Sequence, residues 1–499
     1  MKTLAQRLPY AIVAFGCAAC LAAPPVNAQN AGWVATGPLN VPRYDHAATL
    51  LADGSVLVVG GFNDPNAANA LASAERYDPA SGRWSVVTSP AVARGRPTAT
   101  LLFDGNVLVV GGSERPEIYD PVADTWSMTS GIVALPFGHT ATRLADGKVL
   151  IVGNTVDFSA PVAPELYDPA TGQWTAAGNP KWARSGHSAT LLPNGTVLVA
   201  GGISGYNQDE SPQYRSFEIY DPATNGWREV GTPLSGVFEH TATLLANGTV
   251  LIAGSGDPFL DRSAHLFDPT TEAWSDHGFL HAARLGHSAT LLTNGKVLFA
   301  GSGALKGVGV STAVETYDPV TEQFTSANPL GIGRQSHTAT KLANGNVLVA
   351  GGMGHAGEGF PVRGTAELYV PSFEIHAGIS GTWYDPAQSG HGILVQVLRD
   401  NRLLAAWLAF NPEGTAQAWF VGVGTYSGDT ATIASVEMPT GGRWIPNFNP
   451  SSVVHGAWGT LAFRFIDCNH GTVSFDSPSF GVGTMSLTRL TQPLGLSCP

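Results

Sequence analysis

The sequence predicts an all-β protein: a seven-bladed β-propeller closed by an N-terminal strand, followed by a small C-terminal β-sandwich or barrel. Three observations lead to this fold. The phrase "HSATLLPNGTVLVAGG" and its near-copies occur seven times, each copy contains an Asp-Gly or Asn-Gly pair, and aromatic residues follow at fixed spacing. Repeats of 40–50 residues that encode short strands are typical of propellers.

The first half of each repeat predicts a hairpin. The copies begin at His46, Pro97, His139, His187, His240, His287 and His337. Between the two apolar runs of each copy stands a turn pair: Asp53-Gly54, Asp104-Gly105, Asp146-Gly147, Asn194-Gly195, Asn247-Gly248, Asn294-Gly295 or Asn344-Gly345. Such a pair between β-rich runs favours a tight primed turn, in which the turn residues have positive φ.

The second half of each repeat predicts another hairpin. A Tyr-Asp-Pro or Phe-Asp-Pro triplet begins at 77, 119, 167, 220, 267 and 317, and a second aromatic residue follows seven positions later (Trp84, Trp126, Trp174, Trp227, Trp274 and Phe324). Asp-Pro with a following Ser, Thr or Gly is turn chemistry. Two hairpins make one four-stranded blade.

The seventh repeat lacks its last aromatic residue, since His376 stands where one is expected. In the other repeats the second aromatic residue comes 13 positions before the next His position, and Trp33 precedes His46 by the same 13. We therefore expect "GWVATG" (32–37) to supply the fourth strand of the last blade. This closure would remove an exposed sheet edge.

The glycine pair, the Glu two before the Tyr and the spaced Tyr and Trp resemble Kelch repeats over residues 32–375. "RSGHSATLLPNGTVLVAGG" with "FEIYDPATNGW" is similar to the bacterial type related to the central domain of galactose oxidase. The resemblance implies a Kelch-type seven-bladed propeller. The departures from the pattern are Pro97, His265, Phe324 and Val370.

Composition and termini predict an exported chain. Lys2, Arg7, an apolar core and "VNA" suggest a signal peptide over residues 1–28, cleaved between Ala28 and Gln29, with cleavage before Cys20 as the alternative. The chain is then secreted, periplasmic or on the cell surface of a bacterium, with no later membrane span. A disulfide between Cys468 and Cys498 suits that compartment. The net charge of −12 disfavours nucleic acid as a partner.

Residues 378–499 predict a separate β-rich domain of short strands with five tryptophans. "WYDPAQSGHG" with "WGTLAFRFIDCNHGTVSF" resembles an accessory domain of secreted proteobacterial proteins, which implies a location and no activity. Exposed Trp rings could stack on sugars, and Trp444 is the candidate for glycan binding. We expect Trp407 and Trp419 to fill the core.

Repeated polar residues admit two interpretations. If the first strand of each blade is innermost, Arg and His side chains could line the channel and bind a metal or an anion; the residues are Arg43, His46, Arg94, His139, Arg184, His187, His240, Arg284, His287, Arg334 and His337. Alternatively, each makes the same hydrogen bond within or between blades. A group present in nearly every blade favours this structural interpretation. The repeated glutamates are expected to bond backbone N–H groups or the arginines.

A special site should break the repeat, and the loops between the second and third strands vary most. The loops of blades 1, 4, 5, 6 and 7 are the candidate binding surface. The candidate residues within them are Asp64, Tyr206, Asp209, Tyr214, Asp257, Asp261, His355 and Glu358. Variable loops on a rigid scaffold commonly carry recognition.

These patterns favour an exported, non-catalytic protein that binds a protein or glycan and needs no cofactor. A secreted oxidase or hydrolase is the alternative, and a structural spacer is a third reading. The copper-radical oxidases that share this type of propeller use two Tyr, two His and a Tyr–Cys cross-link. Residues 32–375 contain no cysteine, so that cofactor cannot be assembled in the same way.

Overall fold

The computed structural model describes most of the chain after residue 31. The described ranges are 32–112, 115–130, 138–153, 163–182, 184–203, 217–231, 237–254, 262–302, 310–354, 359–371, 373–387, 391–410, 417–440, 450–466 and 468–491. The predicted signal peptide, its cleavage site at Ala28 and Gln29, Cys498 and Trp444 lie outside these residues. Export and the disulfide therefore stay predictions.

Seven four-stranded antiparallel sheets form the blades, so the predicted blade count is confirmed. Blades 1 and 2 contain β2 (Ala47–Leu50), β3 (Val56–Val59), β4 (Ala74–Asp78), β5 (Arg83–Val87), β6 (Thr98–Leu101), β7 (Val107–Val110), β8 (Glu117–Asp120) and β9 (Thr125–Met128). Blades 3 and 4 contain β10 (Thr140–Arg143), β11 (Val149–Val152), β12 (Glu165–Asp168), β13 (Gln173–Ala176), β14 (Ser188–Leu191), β15 (Val197–Ala200), β16 (Phe217–Asp221) and β17 (Gly226–Glu229). Blades 5 and 6 contain β18 (Thr241–Leu244), β19 (Val250–Ala253), β20 (Ser263–Asp268), β21 (Ala273–Phe279), β22 (Ser288–Leu291), β23 (Val297–Ser302), β24 (Ser311–Asp318) and β25 (Gln323–Ala327). Blade 7 contains β26 (Thr338–Lys341), β27 (Val347–Ala350), β28 (Ala366–Val370) and the N-terminal β1 (Gly32–Thr36).

The first strand of each blade is the inner one. These seven strands contact one another in a closed ring: β2, β6, β10, β14, β18, β22, β26 and again β2. The second strands are fully buried, as Val56–Val59 illustrates, and the fourth strands are largely exposed. The apolar core therefore lies between neighbouring blades, around a central channel.

The N-terminal strand closes the ring in the register that the spacing predicts. Trp33 of β1 lies opposite Tyr369 of β28, and their ring centroids are 5.2 Å apart. The Trp33 Nε1–H also donates to the carbonyl oxygen of Asn328 in blade 6 at 2.8 Å. The other blades repeat the aromatic pairing, with Tyr77 and Trp84 5.1 Å apart in blade 1.

The first hairpin of each blade exists, but its turn differs from the predicted primed type. In blade 1 the Gly54 N–H donates to Leu51 O, and the Leu51 N–H donates to Ser55 O. Gly54 has a φ of 85°, whereas Asp53 is not left-handed. This is a three-residue turn with glycine at the left-handed position. Asp53 instead accepts the Ser55 N–H at 3.0 Å, so its carboxylate fixes the turn.

The C-terminal domain is a closed eight-stranded barrel, which decides between the two predicted architectures. Its strands are β29 (Gly381–Tyr384), β30 (Gly392–Leu398), β31 (Arg402–Phe410), β32 (Gln417–Ser427), β33 (Thr430–Thr440), β34 (Val454–Phe465), β35 (His470–Ser477) and β36 (Gly481–Arg489). Short 3-10 turns lie at Ala377–Ile379 and Pro450–Ser452.

One core assignment in this barrel was wrong. Trp407 is buried as expected, but Trp419 is 48% exposed and lies opposite Leu408, which is also exposed. Neighbouring residues of a strand point to opposite faces. Because Phe420 points into the barrel, Trp419 must point outward.

Among the described residues, none of the helices has the length and apolar character needed to span a membrane.

Candidate functional site

The repeated arginines lie inside their own blades. In five blades the buried Arg pairs with the buried Glu of the third strand: Arg43–Glu75, Arg94–Glu117, Arg184–Glu218, Arg284–Glu315 and Arg334–Glu367. Each of these arginines also donates to the carbonyl oxygen of the glycine at or just after the end of the second strand, as Arg43 does to Gly60 at 3.0 Å.

The glutamates complete the same network. Glu75 accepts the backbone N–H groups of Asn40 and Val41 at 2.7 and 2.9 Å, in the segment that enters blade 1. The expectation that the glutamates bond backbone N–H groups and the arginines is therefore confirmed for the five glutamates of these pairs. At 0–1% exposure, the five arginines are enclosed by their blades and do not face the channel.

The repeated histidines lie between blades. Each Nε2 is within hydrogen-bond distance of a Ser or Thr hydroxyl that begins the first strand of the preceding blade. The pairs are His46–Thr338, His139–Thr98, His187–Thr140, His240–Ser188, His287–Thr241 and His337–Ser288, at 2.8–3.1 Å. These contacts are the hydrogen bond shared by neighbouring blades, which the repeat pattern admitted as the alternative to a channel lining.

At five blade junctions, the glycine at or just after the end of the second strand makes room for the next blade's His. A Cβ on Gly351 of blade 7 would lie 2.8 Å from Cε1 of His46, and Gly351 has a φ of 67°. Gly301 and His337 repeat this contact at the junction of blades 6 and 7. Sterics and a left-handed backbone therefore both require glycine here.

The junction between blades 1 and 2 has lost both partners of this bond. Pro97 stands at the His position of blade 2, and Ala47 stands at the hydroxyl position of blade 1. Loss of one partner alone would leave a buried polar group unsatisfied, which costs about 1–3 kcal/mol. An ion pair crosses this junction: Arg96 Nε lies 2.8 Å from Asp45 Oδ2.

Asp45 and Arg96 belong to a set that we call the mouth ring, the residue before the His position in every blade. All seven members are left-handed, with φ between 49° and 79°: Asp45, Arg96, Gly138, Gly186, Glu239, Gly286 and Ser336. Backbone hydrogen bonds link neighbours around the ring, such as the Glu239 N–H to Gly186 O at 2.9 Å and the Asp45 N–H to Ser336 O at 3.0 Å.

The mouth ring encircles the end of the channel where the innermost strands begin. Three members are glycine, which adopts this conformation freely, whereas a non-glycine residue there is strained by about 1–2 kcal/mol. Strained residues of this kind cluster at functional sites. The charged members, Asp45, Arg96 and Glu239, form what we call the mouth cluster.

The electrostatics of the mouth cluster are coupled. Partial desolvation raises the pKa of Glu239, whereas Arg96 opposes this rise and Asp45 adds to it. Burial lowers the pKa of Arg96, but Asp45 and Glu239 more than offset this, so its pKa is raised. Within the described part of the chain, the Glu239 carboxylate makes no hydrogen bond, although its side chain is exposed to solvent. The cluster therefore presents an unpaired carboxylate beside a charged pair.

The blade 1 loop after β3 packs beside this cluster. Phe62 stacks near Tyr44 with centroids 5.6 Å apart and covers Gly95 of blade 2, where a Cβ would lie 2.1 Å from the Phe62 ring. Asp64 accepts three backbone N–H groups within the loop, and that of Asn69 does most to hold the pKa of Asp64 below its usual value. Asp64 thus fixes the shape of the loop.

The strand order places the mouth ring and the variable loops on one face. Each first strand begins at the mouth ring, and the antiparallel second strand ends at the same side. The loops that follow the second strands therefore start on the face that holds the mouth cluster. The seven candidate loop residues Tyr206, Asp209, Tyr214, Asp257, Asp261, His355 and Glu358 lie outside the described residues.

Two blades break the Arg–Glu pattern. In blade 5, Val237 occupies the Arg position and His265 occupies the Glu position, so neither member of the ion pair is present. His265 Nδ1 instead lies 2.7 Å from Asp276 Oδ1. Blade 3 keeps Glu165, but its Oε2 has no hydrogen-bond partner. Burial raises the pKa of Glu165.

The mouth cluster was missed by sequence reasoning, although a signal for it exists. When the seven repeats are aligned, the position before the His contains three glycines beside Asp, Arg, Glu and Ser. Such a mixture indicates a position where glycine is the structural choice and the charged residues serve another purpose.

Comparisons with known proteins agree with this geometry. The model of the KLHDC2/KLHL20/DRC7 Kelch-repeats domain matches residues 138–352, and that of the Kelch motif matches residues 42–91. The blades are Kelch repeats. No curated protein matches the chain in sequence.

Two solved structures resemble this Kelch propeller protein. The first is a novel fungal alcohol oxidase with catalytic diversity among the AA5 family, in complex with copper. It is 15% identical to this chain, with a TM-score of 0.57, and the match covers 93% of this chain and 100% of the oxidase chain. The structure of YjhT is 15% identical with a TM-score of 0.43, covering 66% of this chain and 96% of its own. At this identity the first likeness shows the fold alone.

The copper site of such oxidases does not fit the propeller residues that the structure describes. The propeller has no cysteine for a Tyr–Cys cross-link. Its repeated histidines are separated into different blade junctions, where each Nε2 is already bonded to a hydroxyl. In the described ranges, no group of three or more His, Cys, Asp or Glu side chains converges in a way that could hold a metal.

Proposed function

We propose that this chain is an exported, non-catalytic binding protein whose propeller holds a protein or glycan ligand over the mouth of its channel. The observation that carries the proposal is the mouth cluster. Asp45, Arg96 and Glu239 break the repeat, occupy strained backbone positions and lie at the end of the channel. The repeated polar residues, in contrast, are bonded to one another and hold the ring.

Electrostatics and shape support binding at this face. Arg96 is 47% exposed although it is paired, so a ligand can reach its side chain. The unpaired Glu239 carboxylate can accept hydroxyl or N–H groups. The variable loops on the same face would add contacts around the rim.

The test is a binding screen with the mature chain on arrays of glycans and of secreted bacterial proteins. The double variant Arg96→Gln/Glu239→Gln should lose at least tenfold in affinity for whatever the native chain binds, since each lost charged hydrogen bond contributes about 1.5–3 kcal/mol. The matched control is Arg228→Gln/Glu272→Gln, an exposed pair between the outer strand of blade 4 and the turn before the outer strand of blade 5. If both variants bind alike, the mouth is not the site; if turnover of a substrate appears, the non-catalytic assignment is wrong.

A further inference from the structure

The barrel contains buried ring nitrogens without partners. Trp407 and Trp458 are 5% and 3% exposed, and neither indole Nε1–H has a hydrogen-bond partner. His391 Nδ1 is likewise buried and unpaired. The three rings form a contact chain, with His391 and Trp407 centroids 6.3 Å apart and Trp407 and Trp458 centroids 5.8 Å apart.

This arrangement differs from the other tryptophan in the barrel core. Trp383 is fully buried too, but its Nε1–H donates to the carbonyl oxygen of Ile379 at 3.1 Å. A buried donor left unpaired costs about 1–3 kcal/mol. Two such donors in one aromatic cluster therefore indicate that an acceptor binds against this cluster.

The unpaired nitrogens lie toward one end of the barrel. His391 comes just before β30, and in the sheet register Ile393 of β30, Trp407 of β31 and Phe420 of β32 follow one another across the barrel. Phe420 packs on Trp458 with centroids 4.6 Å apart. Phe475 and Phe480 complete an aromatic wall. The Phe475 ring centroid lies 5.4 Å from that of Trp407, and the Phe480 centroid lies 5.4 Å from that of Phe420.

We propose that this end of the barrel binds a small neutral ring compound that carries carbonyl or hydroxyl oxygens, independently of the propeller face. The two indole N–H groups supply donors for its oxygens, and the aromatic wall packs against its ring. An anion is disfavoured because the indoles carry no charge to offset its desolvation. A closed eight-stranded barrel has room for one small ligand at most.

The test is calorimetric titration of the full chain with three probes: methyl β-D-galactoside and methyl β-D-glucoside for a saturated ring, and benzamide for an aromatic one. At least one probe should bind saturably, and the identity of that probe shows whether the site takes a saturated or an aromatic ring. Trp407→Phe and Trp458→Phe should each weaken that binding about tenfold or more, the effect of one lost hydrogen bond of about 1.4 kcal/mol. Trp383→Phe makes the same change in size at a partnered indole and should change the affinity less than threefold.

A second measurement needs no variant that folds poorly. In nitrogen-15 correlation spectra, the indole N–H signals of Trp407 and Trp458 should move on saturation while that of Trp383 stays. The proposal is overturned if none of the probes binds, as expected if the indoles merely face neighbouring rings. It is also overturned if Trp383→Phe weakens binding as much as the other two variants, or if the two indole signals do not move.

Discussion

His46 Nε2 of blade 1 lies 2.9 Å from Thr338 Oγ1 of blade 7, across the junction where the two ends of the propeller meet. The equivalent His–hydroxyl hydrogen bond occurs at five other junctions. Six such bonds therefore join neighbouring blades near the centre of the ring. The absence of this bond between blades 1 and 2, where Ala47 and Pro97 stand, is the exception.

This exception predicts a double-mutant result. Pro97→His alone should destabilise the propeller by about 1–3 kcal/mol, because the new imidazole is buried without a hydroxyl partner. Ala47→Thr combined with Pro97→His should recover about 1 kcal/mol or more, measured by urea unfolding of the two single variants and the double variant. Strict additivity of the three values would show that the hydroxyl does not serve the histidine.

Acid should destabilise the ring. Burial lowers the pKa of His46, His187 and His287 well below the ordinary value and that of His240 and His337 to about 3. The unfolded chain then binds more protons between about pH 6.5 and 3, so stability is full above 6.5 and falls through that window, by about 1.4 kcal/mol per pH unit for each histidine.

Urea unfolding at pH 7, 6, 5 and 4 measures this slope. His240→Gln, which can still bond Ser188, should reduce the slope by about 1.4 kcal/mol per pH unit below pH 5.5. A variant with the wild-type slope would mean that His240 does not take up a proton on unfolding.

The blade 3 exception predicts unequal effects of one substitution at two equivalent sites. Glu218→Gln should cost about 3–5 kcal/mol, since it leaves the buried Arg184 without its counter-charge. Glu165→Gln should leave stability unchanged or raise it, because Glu165 Oε2 is already unpaired. Thermal unfolding compares the two; equal losses would indicate that Glu165 has an equivalent ionic partner.

Removal of the closing strand should expose an edge of blade 7. A chain that begins after Thr36 loses the pairing of β1 with β28 and the Trp33–Tyr369 contact. We expect a lower melting temperature and oligomers on gel filtration, because an unpaired edge recruits other strands. A synthetic peptide of residues 29–40 should restore both properties in trans. An unchanged melting temperature of the truncated chain would contradict the closure.

The blade count and the closure could be predicted because both depend on spacing within the chain. The 13-residue step placed Trp33 in the seventh blade, and Asp-Gly and Asn-Gly marked the hairpins. The barrel could not be distinguished from a sandwich, since both give alternating short strands, and Trp419 was assigned to the core although Phe420 takes the inward position. The mouth cluster joins residues from blades 1, 2 and 5, which no local pattern brings together.

The division between structural and functional residues is clearest at two neighbours in the chain. Glu239 is strained and unpaired at the mouth, whereas His240 is buried and bonded to Ser188 at 2.8 Å. Glu239→Gly introduces glycine, which three other blades have at this position. It should keep stability within about 1 kcal/mol of the native value, or raise it, while it loses ligand binding.

The most direct test measures unfolding free energy and ligand affinity together for Glu239→Gly and His240→Ala. The account predicts that His240→Ala loses about 1–3 kcal/mol of stability yet, where folded, binds with native affinity, and that Glu239→Gly does the opposite. If Glu239→Gly unfolds the propeller, or if it binds as the native chain does, the mouth cluster is part of the scaffold and the central claim is wrong.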